Sequence, residues 1–594
     1  MLAPLSWNGS CFGRDRAQRH SGHPCAYLPG FDLTRVEAEW SRFRNSIPEI
    51  WKFNNDGREF QVGDAMKARG LSATHPVILI PGVISTGLES WSTSPDYRAF
   101  FREKLWGGFN MISQVTFNKE KWISAMMLDP VTGLDPPNVK IRAAEGIDAA
   151  SSFVQGYWIW SKIVENLAVV NYDTNNLYLA PYDWRLSYYN LEERDGYFSR
   201  LKTTIETEPF QTTSTTLQRL RESLQCLAVQ VLLYFFKWVE SPLHGGGGPR
   251  WVENHIEAYI SIAGTHLGVV RIFRLISASL VLFCYLCHGH FPLTLYCGGN
   301  AIWGNDTHAP DDQLDAAHTH GELIAFKQAQ EFSLTAHLKM TAEQAGTWIL
   351  EQTPSTFQKM IATNYSFGLE RDETVLEKNN LDPTKWTNPL EVRLPNAPSM
   401  KLYCVYGHGK ETERSYWYRR GDHSRDDITQ DDVEQVCRDS SSSDCVDNHR
   451  LFNIPSAKQT CIDATFTNDT MIPKNVDPIT RKSHQKCVGK VRNGIKMGEG
   501  DGTVSLLSLG AMCAEGWKRP RWNPGGIKVV TVELPHRPIA SIPRGGANTS
   551  DHVDILGSTG LNEIILKVAT GVGHEITENY VSNIREYAKK IEWD

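Results

Sequence analysis

Five short apolar runs, each closed by Pro or Gly, constrain this chain more than any other feature. They are His75–Ile80 before Pro81-Gly82, Leu177–Ala180 before Pro181, Ile256–Ala263 before Gly264, Lys401–Tyr406 before Gly407, and Ile527–Leu534 before Pro535. A short continuous apolar run, such as HPVILI with its β-branched residues, predicts a buried strand of a parallel sheet. Helical patterns fall between them, at Ile147–Asn166, Gln230–Glu240 and Asn562–Thr570. Strand and helix in alternation predict a doubly wound, mostly parallel α/β sheet, with the active site at the C-terminal strand ends where the Pro and Gly turns fall. A further helix is expected within 32–51, where Val36, Trp40 and Phe43 share a face.

The most apolar helical stretch is 224–240, LQCLAVQVLLYFFKWVE. Such a helix is built to be buried. In hydrolases with a parallel sheet, the turn before this helix carries a nucleophile as G-x-S-x-G. Here the turn reads Leu224-Gln225-Cys226-Leu227-Ala228, and the polar stretch 206–223 before it offers no apolar run for the strand that is due.

Two later motifs bear on the same chemistry. Asp501 lies in Gly500-Asp501-Gly502-Thr503, and His552 in Ser550-Asp551-His552-Val553. Nucleophile, acid, then histidine is the chain order of a hydrolase triad, in which the acid fixes the imidazole that takes the nucleophile's proton. Singly, D-G-T-V is an ordinary Asx turn and His552 an ordinary loop histidine; the order of the pair favours chemistry. The loop Pro81–Thr86 after the first strand can aim a backbone N–H at a developing oxyanion. Val83 is the candidate there, with Leu227 as its partner. Two rivals for the elbow are Gly264-Thr265-His266-Leu267-Gly268, which centres a histidine, and Asn364-Tyr365-Ser366-Phe367-Gly368, which lacks a preceding strand.

A net charge of −7 with interspersed signs and no long basic run argues against nucleic acid as a partner. The 12 cysteines do not form paired CxxC motifs at zinc spacing, so no metal or other cofactor is expected. Cys437 with Cys445, and Cys461 with Cys487, could form disulfides. With N-x-[ST] sequons at Asn8, Asn305, Asn364, Asn468 and Asn548, this leans towards a lumenal compartment. The first residues lack the apolar core of a signal peptide. Residues 270–297 are apolar without a clear period, and their uninterrupted part, Leu275–Cys287, is short for a bilayer span. A buried or interfacial segment is expected there, not a ligand set of His288, His290 and cysteines.

Five segments carry a resemblance: HPVILIPGVISTGLESW (75–91), APYDWR (180–185), YGHGKETERSYWY (406–418), GEGDGTVSL (498–506) and DHVDIL (551–556). Together they resemble the lecithin:cholesterol acyltransferase family, nearest its fungal phospholipid:diacylglycerol acyltransferase branch, from about Phe31 to the end. The resemblance implies an α/β-hydrolase-like fold with large lid insertions. It implies acyl transfer from a phospholipid donor to a diacylglycerol acceptor, giving triacylglycerol, by a membrane-associated enzyme on the lumenal face of the endoplasmic reticulum. It also implies an N-terminal membrane anchor, for which this sequence offers no counterpart. By motif match Asp501 and His552 take the acid and base roles, and Asp183, Trp184 and Arg185 form the site wall and bind substrate.

The organisation expected is an N-terminal extension over 1–70 with one helix, then an acyltransferase domain over 71–594. Its lid lies at about 300–400, and atypical inserts lie at about 206–228 and 270–297. The resemblance implies a serine at the elbow; register from Gln230 puts Cys226 there and Ala228 at the closing glycine. The abrupt edges of the two inserts read as translated intron or misplaced exon boundaries, which transcript sequencing across codons 206–230 would test. A thiolate paired with a histidine can serve in acyl transfer, whereas a buried apolar cysteine is inert. Two other readings stay open: a phospholipase or lipase of the same fold, and a non-catalytic lipid-binding pseudoenzyme.

Overall fold

The computed structural model describes residues 60–154, 157–207, 222–226, 229–269, 297–312, 319–327, 339–351, 353–419, 461–462, 491–492 and 495–594. Six parallel strands form its central sheet. They are β1 (Val77–Ile80), β2 (Leu177–Leu179), β3 (Glu222–Cys226), β4 (Ile256–Ile262), β5 (Lys401–His408) and β6 (Lys528–Pro535). Their spatial order is β6-β5-β4-β3-β1-β2, and every neighbouring pair is parallel. Five of the six stand where the apolar runs predict them. All four residues of β1 are buried, and so are six of the seven in β4, as expected of strands covered on both faces.

The sixth strand corrects the sequence reading. β3 forms from ESLQC, where no apolar run exists, and fills the slot between β1 and β4. Register places Cys226 beside Ile80 on one side and Ser261 on the other, at the C-terminal edge. The two flanking strands present their unpaired backbone groups to this segment, and the ladder they offer outweighs its weak side-chain preference.

α1 (Ser161–Val169), α2 (Val229–Glu240), α3 (Leu506–Ala514) and α4 (Thr559–Ala569) connect or follow these strands. The helix expected over 147–166 is only partly realised. Its first half is a 3-10 turn at Ile147–Ala149 and a hairpin of Ser152–Val154 with Tyr157–Trp158. The aromatic residues there suit a pleated ribbon better than a helix. α2 matches its expectation, and ten of its twelve residues are buried. Its first turn is anchored to the loop after β4, where the Gln230 side-chain amide donates to the Thr265 carbonyl. Gly264 makes that approach possible, since a Cβ there would lie 2.5 Å from Val229 Cγ2.

The helix Gln61–Ala68 packs on α1, and Gly63 N–H donates to Asn166 Oδ1 at 2.8 Å. The folded body therefore begins before residue 71. Between β4 and β5 lie the helices Ala342–Glu351, Ser355–Asn364 and Glu373–Asn379. A second sheet includes the antiparallel pair Lys410–Arg419 and Ile495–Gly500. The chain leaves β5 through Gly409 (φ 86°) directly into this pair. The helix expected over 32–51, most of 270–297, and the cysteines 437, 445 and 487 lie outside the described residues, as does the Cys461 side chain.

Among the described residues Cys404 of β5 and Cys513 of α3 form a disulfide, 109 residues apart in sequence. His266 lies beside it and donates from Nδ1 to the Ser508 and Leu509 carbonyls at 3.2 and 3.1 Å. Burial lowers its pKa to about 4, against those carbonyl contacts, which raise it. The histidine of G-T-H-L-G is thus a neutral core group and no nucleophile. The other rival, Ser366, donates its hydroxyl to Glu391.

Candidate active site

Asp501 and His552 meet at the C-terminal edge of the sheet. Asp501 directly follows the strand Ile495–Gly500 and is fully buried. Its two carboxylate oxygens divide the work. Oδ1 accepts from the N–H groups of Thr503 (2.9 Å) and Val504 (2.7 Å), closing the Asx turn. Oδ2 accepts from His552 Nδ1 at 2.7 Å. The Asx turn and the histidine contact coexist on one side chain. Because Nδ1 donates to the carboxylate, the imidazole's accepting lone pair is directed to Nε2. His552 N–H also donates to the Asp501 carbonyl at 3.2 Å, so backbone and side chain hold the same pair.

The loop bearing His552 rests on the ends of β5 and β6. Ser550 N–H donates to His536 Nδ1 at 3.1 Å, and His536 N–H donates to the His408 carbonyl at 2.9 Å. Gly407 lies directly beneath, where a Cβ would come within 1.8 Å of the Ser550 carbonyl oxygen. Only glycine lets the strand and loop approach this closely.

Val83 lies in the turn immediately after β1. The next residue, Ile84, has φ 61°, a left-handed conformation unusual for a β-branched side chain. Two indoles hold this loop: Trp106 Nε1 donates to the Ile84 carbonyl at 2.8 Å, and Trp184 Nε1 to the Thr86 carbonyl at 3.3 Å. Their rings meet edge-on with centroids 5.1 Å apart. Sequence reasoning missed Trp106, which lies in no motif.

The three residues 183–185 separate into two functions. Trp184 braces the loop after β1. Asp183 and Arg185 are fully buried and bind each other, with Nε to Oδ1 at 3.0 Å and Nη2 to Oδ2 at 2.7 Å. Arg185 also reaches Asp135 Oδ1 (3.0 Å) and the Met126 carbonyl (2.9 Å), while Arg194 donates to Asp183 Oδ2 at 2.8 Å. Burial works against the Asp183 carboxylate, but Arg185 and Arg194 overcome it and hold its pKa well below the usual range. Enclosed and mutually engaged, Asp183 and Arg185 have no surface to offer a substrate. The Cys226 side chain and Leu227 lie outside the described residues; the Cys226 backbone stands at the end of β3.

The lecithin:cholesterol acyltransferase family model matches residues 100–443 and 453–559. The chain belongs to this family. Its similarity to individual members of the lecithin:cholesterol acyltransferase family is broad. It is 38% identical over 563 residues to the phospholipid:diacylglycerol acyltransferase of Schizosaccharomyces pombe, covering 91% of this chain and 79% of that protein. It is 34% identical to the Saccharomyces cerevisiae phospholipid:diacylglycerol acyltransferase, covering 90% and 76%. The mouse phosphatidylcholine-sterol acyltransferase is 23% identical over 377 residues.

Proposed function

We propose that this chain is an O-acyltransferase that moves a fatty acyl group from a phospholipid to diacylglycerol, giving triacylglycerol, through an acyl-enzyme. The Asp501–His552 contact at the edge of a parallel sheet carries the reading, and the names of the yeast relatives supply the substrate class. In this reading the fold is α/β-hydrolase-like and the helices between β4 and β5 form a lid.

Cys226 stands at the nucleophile position. His552 Nε2 takes its proton, and the thiolate attacks the ester carbonyl of the phospholipid. The oxyanion that forms is met by the Val83 N–H, aimed by the strained and doubly braced loop, and by the Leu227 N–H. Collapse of the tetrahedral species breaks the ester bond, and His552 returns the proton to the leaving lysophospholipid oxygen. The diacylglycerol hydroxyl then attacks the thioester, His552 takes its proton, and the freed thiolate recovers it. Asp501 stabilises the imidazolium in both halves. Asp183 and Arg185 act at a distance, as the buried base on which Trp184 and its loop rest.

The substrates live in bilayers, and the surface beside the site suits one. In the helix Phe109–Phe117 no residue is buried, and Phe109, Ile112, Val115 and Phe117 are exposed. This helix packs on the strand Lys104–Trp106, whose indole holds the Ile84 loop. Lys119 and Lys121 are exposed at its end, with Glu120 between them, a setting for apolar insertion beside phospholipid headgroups. No helix among the described residues is long and apolar enough to cross a membrane. The Cys404–Cys513 disulfide supports an oxidising compartment, the lumenal face of the endoplasmic reticulum.

Labelled phospholipid offered with and without diacylglycerol tests the reaction. Labelled triacylglycerol that depends on added diacylglycerol, reduced by about 100-fold or more in His552→Ala, is the expected result. Free fatty acid regardless of diacylglycerol would make the protein a phospholipase. One observation favours a second reading: a cysteine stands where the family resemblance implies serine. A lipid-binding pseudoenzyme would bind vesicles without turnover and leave Cys226 unlabelled by acylating probes.

A further inference from the structure

We infer that Lys410 is a positioning residue that ties the His552 loop to the Asp501 turn and, through its ion pair with Asp551, sets the protonation of His552. This inference rests on the reading of His552 as the site's base.

Three contacts converge on Lys410. Its backbone lies opposite Gly500 in the antiparallel ladder and bridges to Asp501. Its side-chain stem lies over Gly502: a Cβ there would meet Lys410 Cδ at 2.6 Å and Cε at 2.8 Å. Gly502 has φ 91°, so glycine is required both for the backbone and for the lysine to lie flat. Its ammonium forms an ion pair with Asp551, the residue directly before His552. Two residues on, Thr412 Oγ1 accepts from Gly502 N–H at 2.8 Å and donates to the Lys410 carbonyl at 3.1 Å, which fixes the turn to the same strand. One side chain thus spans the gap between the segments carrying acid and base.

The pair also matters electrostatically. On the strand and turn 495–504 the charged residues are Lys496, Glu499 and Asp501, and Glu499 lies 3.4 Å from His408 Nδ1 on β5. His536 follows β6, and on the histidine's own loop Asp554 is paired with Arg544 at 2.6 Å. Asp551 would add a further negative charge beside the imidazole, and Lys410 offsets it. Without Lys410 the imidazolium is favoured; without Asp551 it is disfavoured.

The test reads the deprotonation of His552 directly, as the pH dependence of its acylation by diethyl pyrocarbonate, followed by mass spectrometry on the full-length protein. Lys410→Met should raise the midpoint by about 0.5–1 pH and Asp551→Asn should lower it by a similar amount. The double variant should return it near the starting value, and Lys410→Arg should leave it in place. A purely structural brace would not move the midpoint in opposite directions. Midpoints that stay together, or move the same way in both single variants, would overturn the inference. Because the readout needs no turnover, an inactive protein with the expected midpoints would refute the proposed reaction and leave the role of Lys410 standing.

Discussion

At the scale of residues, the site depends on close approach as much as on reactive groups. Asp501 and His552 are legible in the sequence because their order and Gly-rich or polar surroundings mark them. Gly407 looks like a mere strand-ending glycine, yet it is the floor on which the His552 loop sits. Gly407→Ala should push the Ser550 carbonyl outward and carry the imidazole with it. A displacement of about 1 Å in a catalytic group costs on the order of 100-fold in rate, so acyl transfer should fall by that much. A steady-state assay beside a thermal melt distinguishes a misplaced loop from an unfolded protein. The contacts of Trp106, and of Lys410 within the quoted segment 406–418, were illegible for a different reason. Their partners, the Ile84 carbonyl and Asp551, lie 22 and 141 residues away in sequence.

At the scale of elements, the two helices that matter most differ in what their apolar residues do. α2 buries nearly all of its side chains beneath the sheet edge, as its sequence predicts. The helix Phe109–Phe117 buries none of its own. Replacing Phe109 and Phe117 together by Ser should leave the melting temperature nearly unchanged, since these side chains are 57% and 79% exposed. Binding to phospholipid vesicles should weaken by about tenfold or more, because each inserted aromatic side chain contributes roughly 1.5–3 kcal/mol. Vesicle sedimentation checks this, and unchanged binding would remove the helix from the docking surface. The strand β3 belongs at this scale too. Periodicity reads side chains, whereas β3 is held by backbone ladders with β1 and β4 that only the assembled sheet supplies.

At the scale of the whole molecule, distant segments are joined by buried ion pairs and, among the described residues, by the Cys404–Cys513 disulfide. Asp183, Arg185, Arg194 and Asp135 gather residues from 135 to 194 into one enclosed network behind the Trp184 loop. Arg185→Met should leave the Asp183 carboxylate with less compensation and cost about 3–5 kcal/mol, seen as a lowered denaturant midpoint. The Asp183 pKa lies below its unfolded value, so the stabilisation it contributes is present above the ordinary carboxylate range and is lost only as pH falls towards the depressed value. Stability measured between pH 5 and 8 should therefore show no titration from Asp183 in the unaltered protein.

What the sequence determined by itself was the local part: five strands of the central sheet, the apolar helix Val229–Glu240, and Asp501 and His552 as a candidate pair. Each is announced by residues close together in the chain, whose burial or chemistry follows from their own character. Tertiary structure decided what depends on neighbours brought from afar. It made a strand of ESLQC, paired Cys404 with Cys513, and turned Asp183 and Arg185 inward to each other. It also laid Lys410 across the turn that holds Asp501. The physical reason is the same in each case. Backbone ladders, buried charges and close packing are settled by the partner a residue meets, and the chain order does not name that partner.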